Sequence, residues 1–476
     1  MRTSVKLGFC PIGKFVFSHE DALRYKKLIR TKLENWHIDY ESIDDVIKDG
    51  IVRSQHDVDK VVKHFSRKEI DGLFIPHCNF GTEGAAGMIA KKLHVPVLLW
   101  GPRDEAPLKD GTRLRDTLCG LFATSKVLHK LNVPFTYIEN CRIDDVPFEY
   151  GVKNFVKTVS LVKGFKNMRI GQIGNRIDFF WTTIINESEL LEKFGIEVLP
   201  IDIIEFIEKV KERAIKNRNK YSRELKEAKT HMKFSGFSDE KALLNLFAMR
   251  DEMLERAEIE GITAYSIQSF MSICEQLGCM VEYAIAMVTE TGIPAVCESD
   301  IHGAISSIIL QKASLDTSMT FFADLTIRHP KDDNGILLWH GAFPLSLKDK
   351  NSKAEIGTHW ILPGIPSGSC HWRLKGGDIT VLRFDGDRGK YSIIVGEGKT
   401  MKGPNTQNAY VWMKVSDWEK WERKFIEGPY IHHVACSYGK YLPIVYEAIK
   451  YLPGNITLEL ADANIEKVKE SFFKNY

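Results

Sequence analysis

The chain has 476 residues, 44% hydrophobic and 27% charged, with 65 basic against 63 acidic side chains for a net charge of +2. This is a globular composition, not a disordered or fibrous one, and the even balance gives no electrostatic case for nucleic acid or an anionic membrane. No apolar run approaches the ~20 residues needed to span a bilayer, and at roughly 100–200 residues per domain the length predicts two to four domains.

The start, MRTSVKLGFCPIGKF, breaks its short apolar stretch at Pro11 and Gly13, so no secretory leader is expected there. Nine scattered cysteines without a CxxC pair read as reduced thiols, and the expected location is the cytoplasm. VKLGFCPI, IDGLFIPHCNFG and VPVLLWG are apolar strand candidates that alternate with the helical stretches HEDALRYKKLIRTKLENW and EGAAGMIAKKL. Such alternation predicts a parallel sheet covered on both faces, with ligands at the carboxyl ends of its strands. A first α/β domain is expected over 1–165.

A second α/β domain is expected over 166–345. MRIGQIG and FGIEVLPID read as strands, and residues 203–235 as strongly charged helix with a solvated face. ITAYSIQSF is strand-like, SICEQLG helical, and GIPAVCES another strand-to-helix turn. GQIGN lacks the full GxGxxG spacing and reads as an ordinary strand–helix turn. There is no Walker A sequence and no GxSxG elbow. From about residue 346 the texture changes: DITVLRFDGDRGKYSIIVGEG predicts two strands joined by a longer loop around Asp385–Gly389. The expected fold is therefore two consecutive Rossmann-like parallel-sheet domains followed by a C-terminal antiparallel β-rich, barrel-like domain over 346–476.

Polar residues interrupt apolar runs at Glu298 and Asp300 (AVCESDIHGA), Asp324 (SMTFFADLTIRHP) and His340 (GILLWHGAFP). Taken singly, each has an ordinary reading: a carboxylate at a strand end caps a helix, and a histidine after an apolar run is hydrogen-bonded in a core. Together they fall within about forty residues, at positions where an unpaired charge is costly. One histidine from GPYIHHVACSYG adds to them. Adjacent side chains on an extended segment point to opposite faces, so only one of His432 and His433 is expected to face a site. Two carboxylates with one or two imidazoles suit Mn²⁺, Mg²⁺, Co²⁺ or Zn²⁺, and the absence of thiolate argues against a structural zinc.

At these motifs the chain resembles the L-fucose and L-arabinose isomerases. CESDIHGA, FFADLTI, LLWHGAFP and GPYIHHVACSYG resemble, in order, that family's two acidic and two histidine metal segments. The resemblance implies Glu298, Asp324, His340 and His433 as metal ligands, with Glu298 and Asp324 also moving protons. It implies Mn²⁺, Co²⁺ or Mg²⁺ as cofactor, a monosaccharide substrate, no membrane or nucleic-acid partner, and a homotrimer or homohexamer. His432 is expected to face away from the metal or meet the substrate. Gln268 is expected on the sugar hydroxyls or at the surface, and Trp100 as a sugar platform or a core residue. The expected reaction is aldose–ketose isomerisation of an L-fucose-, L-arabinose- or D-arabinose-like sugar through an enediol. Two alternatives stand beside it: an isomerase of an anionic sugar such as a sulfosugar, for which Lys14, Arg103 and Arg383 are available cations, and a non-catalytic sugar-binding regulator.

Overall fold

The computed structural model describes residues 5–237, 239–270, 272–362 and 364–474. Its contacts divide the chain into two compact units.

One unit comprises residues 2–163 with 443–452 and 465–476. Its sheet has five parallel strands: β1 (Leu7–Phe9), β2 (Tyr40–Ser42), β3 (Gly72–Pro76), β4 (Val97–Trp100) and β5 (Thr136–Tyr137), in the order β2-β1-β3-β4-β5. β3 and β4 are buried residue by residue, which is why they read as unbroken apolar runs. The C-terminal pieces are tied in by polar contacts: the Tyr451 hydroxyl donates to the Val97 carbonyl at 3.0 Å, and the Asn154 amide donates to the Phe472 carbonyl at 2.6 Å.

The other unit comprises 164–442 with 453–464. β6 (Arg169–Ile173), β7 (Glu197–Ile201), β9 (Ala264–Ile267) and β10 (Ala295–Val296) form a second parallel sheet, ordered β10-β9-β6-β7. β8 (Lys233–Phe234), β13 (Glu355–Gly357) and β14 (Ser369–His371) form a small separate sheet. β11 (Thr320–His329), β12 (Asp332–His340), β15 (Asp378–Asp387), β16 (Lys390–Met401), β17 (Ala409–Lys414) and β18 (His433–Tyr438) are antiparallel neighbours in the order β15-β18-β11-β12-β17-β16. A final β15–β16 pairing closes them into a six-stranded barrel. β19 (Thr457–Leu460) adds to β16 in parallel. Alternate residues of the barrel strands, among them Phe321, Ala323, Ile336, Leu338, Val381, Val411 and Cys436, fill one apolar core.

The expected order of parallel-sheet α/β layers followed by an antiparallel barrel is observed. The barrel takes two strands from 320–340, ahead of residue 346. The β15–β16 hairpin is tighter than the sequence suggests: Asp387 pairs with Lys390, leaving the two-residue turn Arg388-Gly389, both at positive φ (53° and 77°). Helix Ile301–Ala313 is buried along nearly its whole length, because it packs on β9 on one side and on β11, β15 and β18 on the other. Its N-terminus is therefore delivered to the point where the parallel sheet and the barrel meet.

Candidate functional site

Glu298 follows β10 by one residue and precedes that helix. Glu298 and Ser299 both adopt left-handed backbone, φ 64° and 55°, a conformation costly for non-glycine residues. The turn is held by three hydrogen bonds from the ends of β9 and β6. Glu298 N–H donates to Ser269 Oγ (3.2 Å), Ser299 N–H to the Ile267 carbonyl (2.9 Å), and Ser299 Oγ to the Asn175 carbonyl (3.1 Å). Asp300 then caps the helix, its Oδ1 accepting from Gly303 N–H at 2.8 Å.

Asp324 and His433 are direct cross-strand partners on β11 and β18, so their side chains share one face. His433 Nε2 lies 2.9 Å from Glu298 Oε2 and 3.7 Å from Asp324 Oδ1. Neither His433 Nε2 nor Asp324 Oδ1 has an aligned hydrogen-bond partner, although both are buried. On its other side the His433 ring is fixed, Nδ1 lying 2.9 Å from Asp300 Oδ2. Asp300 also binds the Arg383 guanidinium, which donates through Nε to Asp385 Oδ2 at 2.9 Å.

His340 ends β12. Its Nδ1 accepts from Gly341 N–H (2.9 Å) and lies 3.6 Å from Glu282 Oε1, while its Nε2 is buried without a partner. Glu282 opens the helix Glu282–Glu290, and its carboxyl occupies the space a Cβ on Gly341 would fill. His359 Nε2 lies 3.7 Å from the same Glu282 oxygen. Two groups bring three potential ligand atoms within 4.8 Å of one another: Asp324, His432 and His433, and Glu282, Cys297 and His340.

The electrostatics favour a cation. Burial pushes the Asp324 carboxyl up, and the neighbouring Glu298 and Asp300 charges add to this against the pull of His433, to about 7. Burial, then Glu298 and Asp324, push Glu282 to about 8 against the opposing effect of Ser369. Asp300 goes the other way: burial opposes it, but the Arg383 charge and His433 hold its carboxyl well below the usual range. Buried acids whose carboxyls are pushed up by burial and by neighbouring acids, beside oxygen and imidazole nitrogen atoms without aligned partners, suit a divalent cation. The donor set fits.

Of the residues expected from sequence, Glu298, Asp324 and His433 converge. His340 stands beside Glu282 and Cys297. His432 is not turned away: it precedes the first residue of β18, so strand alternation does not govern it, and its exposed ring lies 4.3 Å from that of His433. Gln268 follows β9 and lays its side chain over Gly174 on the same sheet edge. Trp100 is corrected: it is fully buried in the other unit with its ring 4.0 Å from Phe148, so no face is free for a sugar. Arg383 is likewise removed as a substrate cation, being fully buried on Asp300 and Asp385. Glu282 and His359 were missed. An acid in the first helical turn reads as an ordinary dipole partner, and only tertiary contacts place it behind His340.

The sheet-plus-barrel fold and this carboxylate–imidazole cluster define an aldose–ketose isomerase. Residues 8–166 match the family model of the fucose/sulfoquinovose isomerase N-terminal domain, and residues 346–458 that of the L-fucose isomerase C-terminal domain. Together these cover more than half of the chain, which belongs to the fucose isomerase family, a typically metal-dependent one. The sulfoquinovose isomerase of Alkalicoccus urumqiensis is 25% identical over 324 residues, 66% of this chain and 69% of its own. Those of Priestia aryabhattai and Priestia megaterium are 23% identical over 397 residues, 83% of this chain and 85% of theirs. A solved periplasmic solute binding protein from Actinobacillus succinogenes with bound D-allose covers 65% of this chain and 92% of its own at 12% identity, and its TM-score of 0.17 is too low to bear on the fold. No helix among the described residues is long and apolar enough to cross a membrane.

Proposed function

We propose that the protein isomerises a sulfonated aldose of the sulfoquinovose type to its ketose, using a divalent metal, Mn²⁺ first among the candidates. The observation that carries the chemistry is the convergence of Glu298 and Asp324 on His433 Nε2, at 2.9 and 3.7 Å. Glu298, Asp324 and His433 would hold the metal, with His340 as the further ligand at the edge of the cluster. A divalent ion there would polarise the substrate oxygens and stabilise negative charge on the enediol, typically worth several kcal/mol. Of the two carboxylates, one takes the C2 proton and returns it to C1, and the other moves a proton between O1 and O2. His432 and Gln268, on the open side, would contact sugar hydroxyls.

Two observations favour a sulfosugar over an L-fucose-like sugar. The similar proteins above are named sulfoquinovose isomerases. And Arg176, half-buried after β6 on the sheet edge that carries Glu298, pairs with no carboxylate among the described residues. Its Nη1 donates to the carbonyls of Ile177, Asp178 and Phe180 at 2.6, 3.1 and 3.1 Å, which fixes the guanidinium while leaving Nε and Nη2 to an anion. Phe180 in the same loop stands 6.1 Å from the His433 ring. Assembly as a homotrimer or homohexamer is part of the same proposal.

The test is to incubate the Mn²⁺-loaded protein with sulfoquinovose, L-fucose and D-arabinose in parallel and to follow ketose by NMR. Sulfoquinovose should be turned over fastest. Faster turnover of a neutral sugar would overturn the sulfosugar reading, and no ketose from any of the three would overturn the isomerase assignment of this site.

A further inference from the structure

Behind His433 runs a buried chain of charges that the proposed chemistry does not use directly. His302 Nδ1 lies 3.1 Å from Asp385 Oδ1, Asp385 Oδ2 accepts from Arg383 Nε at 2.9 Å, and Arg383 Nη1 donates to Asp300 Oδ2. Asp300 Oδ2 in turn meets His433 Nδ1 at 2.9 Å. Asp300 and Arg383 are fully buried, and His302 and Asp385 nearly so. The chain joins the helix Ile301–Ala313, β15 and β18.

A buried ion-pair chain is weak evidence for stability, because desolvating the charges offsets most of their attraction and apolar residues of similar volume often serve as well. Its geometry points to another use. Asp300 has no freedom left: Oδ1 is held by Gly303 N–H, and Oδ2 by Arg383 and His433. A carboxylate accepting at Nδ1 keeps the proton there, so the neutral imidazole that binds a metal presents its lone pair at Nε2. Nε2 is the atom that lies 2.9 Å from Glu298 and 3.7 Å from Asp324 with no aligned hydrogen bond. The Phe322 ring packs edge-to-face with the imidazole, centroids 5.0 Å apart.

We propose that Asp300, clamped by Arg383, is a positioning residue that fixes the tautomer and direction of His433 and thereby sets the protein's affinity for its divalent ion. This rests on the reading of Glu298, Asp324 and His433 as a metal centre. Arg383 acts one step back: it holds Asp300 in place, and Asp385, itself held by His302, holds Arg383.

The experiment is Mn²⁺ titration by calorimetry of the metal-free wild type, Asp300→Asn and Arg383→Lys, with the KM for the aldose measured at saturating Mn²⁺. Asp300→Asn keeps the cap to Gly303 through Oδ1 but puts an amide against His433. It should weaken Mn²⁺ binding 10–100-fold, the usual cost of losing such a partner. KM at saturating metal should stay within about twofold, since Asp300 is not expected to touch the sugar. Arg383→Lys keeps a cation and should weaken binding less, and it carries the test if Asp300→Asn does not fold. A wild type that binds no Mn²⁺ overturns the metal-centre reading itself. Wild-type binding with an unchanged Kd in both variants overturns the role of Asp300. A lowered melting temperature with unchanged Kd does so too, by reducing the chain to a structural ion pair.

Discussion

Glu298 carries most of the proposed chemistry, and its charge can be removed without changing its shape. Glu298→Gln should abolish ketose formation and weaken Mn²⁺ binding, read by NMR and calorimetry; normal turnover would remove Glu298 from the site. Glu282 makes a different prediction, about pH. Burial and the nearby acids raise its carboxyl from 4.5 to about 8, so the folded metal-free protein holds a proton that the unfolded chain has released between those values. Stability must therefore be lost as pH rises through that window. Asp324, raised to about 7, contributes in the same direction. In urea titrations of the metal-free protein at pH 5 and pH 8, Glu282→Gln should lose distinctly less stability between the two than the wild type. An equal loss would show that Glu282 is not buried as an acid. Of these residues Glu298 was legible in the sequence, because a charge ending an apolar strand stands out. Glu282 was not, since its partners His340 and His359 lie 58 and 77 positions away.

At the scale of elements, two turns set the geometry. The Arg388-Gly389 turn of the β15–β16 hairpin needs two positive φ values, which arginine adopts at a cost. Arg388→Asn should raise stability by about 0.5–1 kcal/mol, because Asn-Gly suits this turn type; denaturant midpoints decide it. The sequence showed both strands there but not the tightness of the turn, since Asp385, Gly386 and Asp387 carry the same turn chemistry and yet pair across the ladder. Gly341 follows β12, and any Cβ at this position would collide with the Glu282 carboxyl. Gly341→Ala should displace Glu282 from His340 and destabilise the protein by about 1–3 kcal/mol, the usual cost of overpacking; no change in the melting curve would contradict that packing.

Across the whole molecule, the site joins segments from a parallel sheet, a buried helix and a barrel, so binding an ion should stabilise the fold. At a free Mn²⁺ concentration of 100 Kd the gain is about 2.7 kcal/mol, visible as a rise in melting temperature that a chelator reverses. Asp324→Asn should lose that rise. The sequence by itself determined the alternation of strands and helices, the change of texture near residue 346, and the three interrupted apolar runs, because those follow from hydrophobic period and from the cost of burying charge. Tertiary structure alone decided which polar groups meet. Asp324 faces His433 because β11 and β18 pair in one register, and Asp300 reaches the far side of that ring because the helix Ile301–Ala313 is wedged between sheet and barrel. Between the two readings of Trp100, sugar platform and core residue, packing decided for the core: a residue's neighbours across strands and layers are fixed by packing, which no local stretch of sequence records.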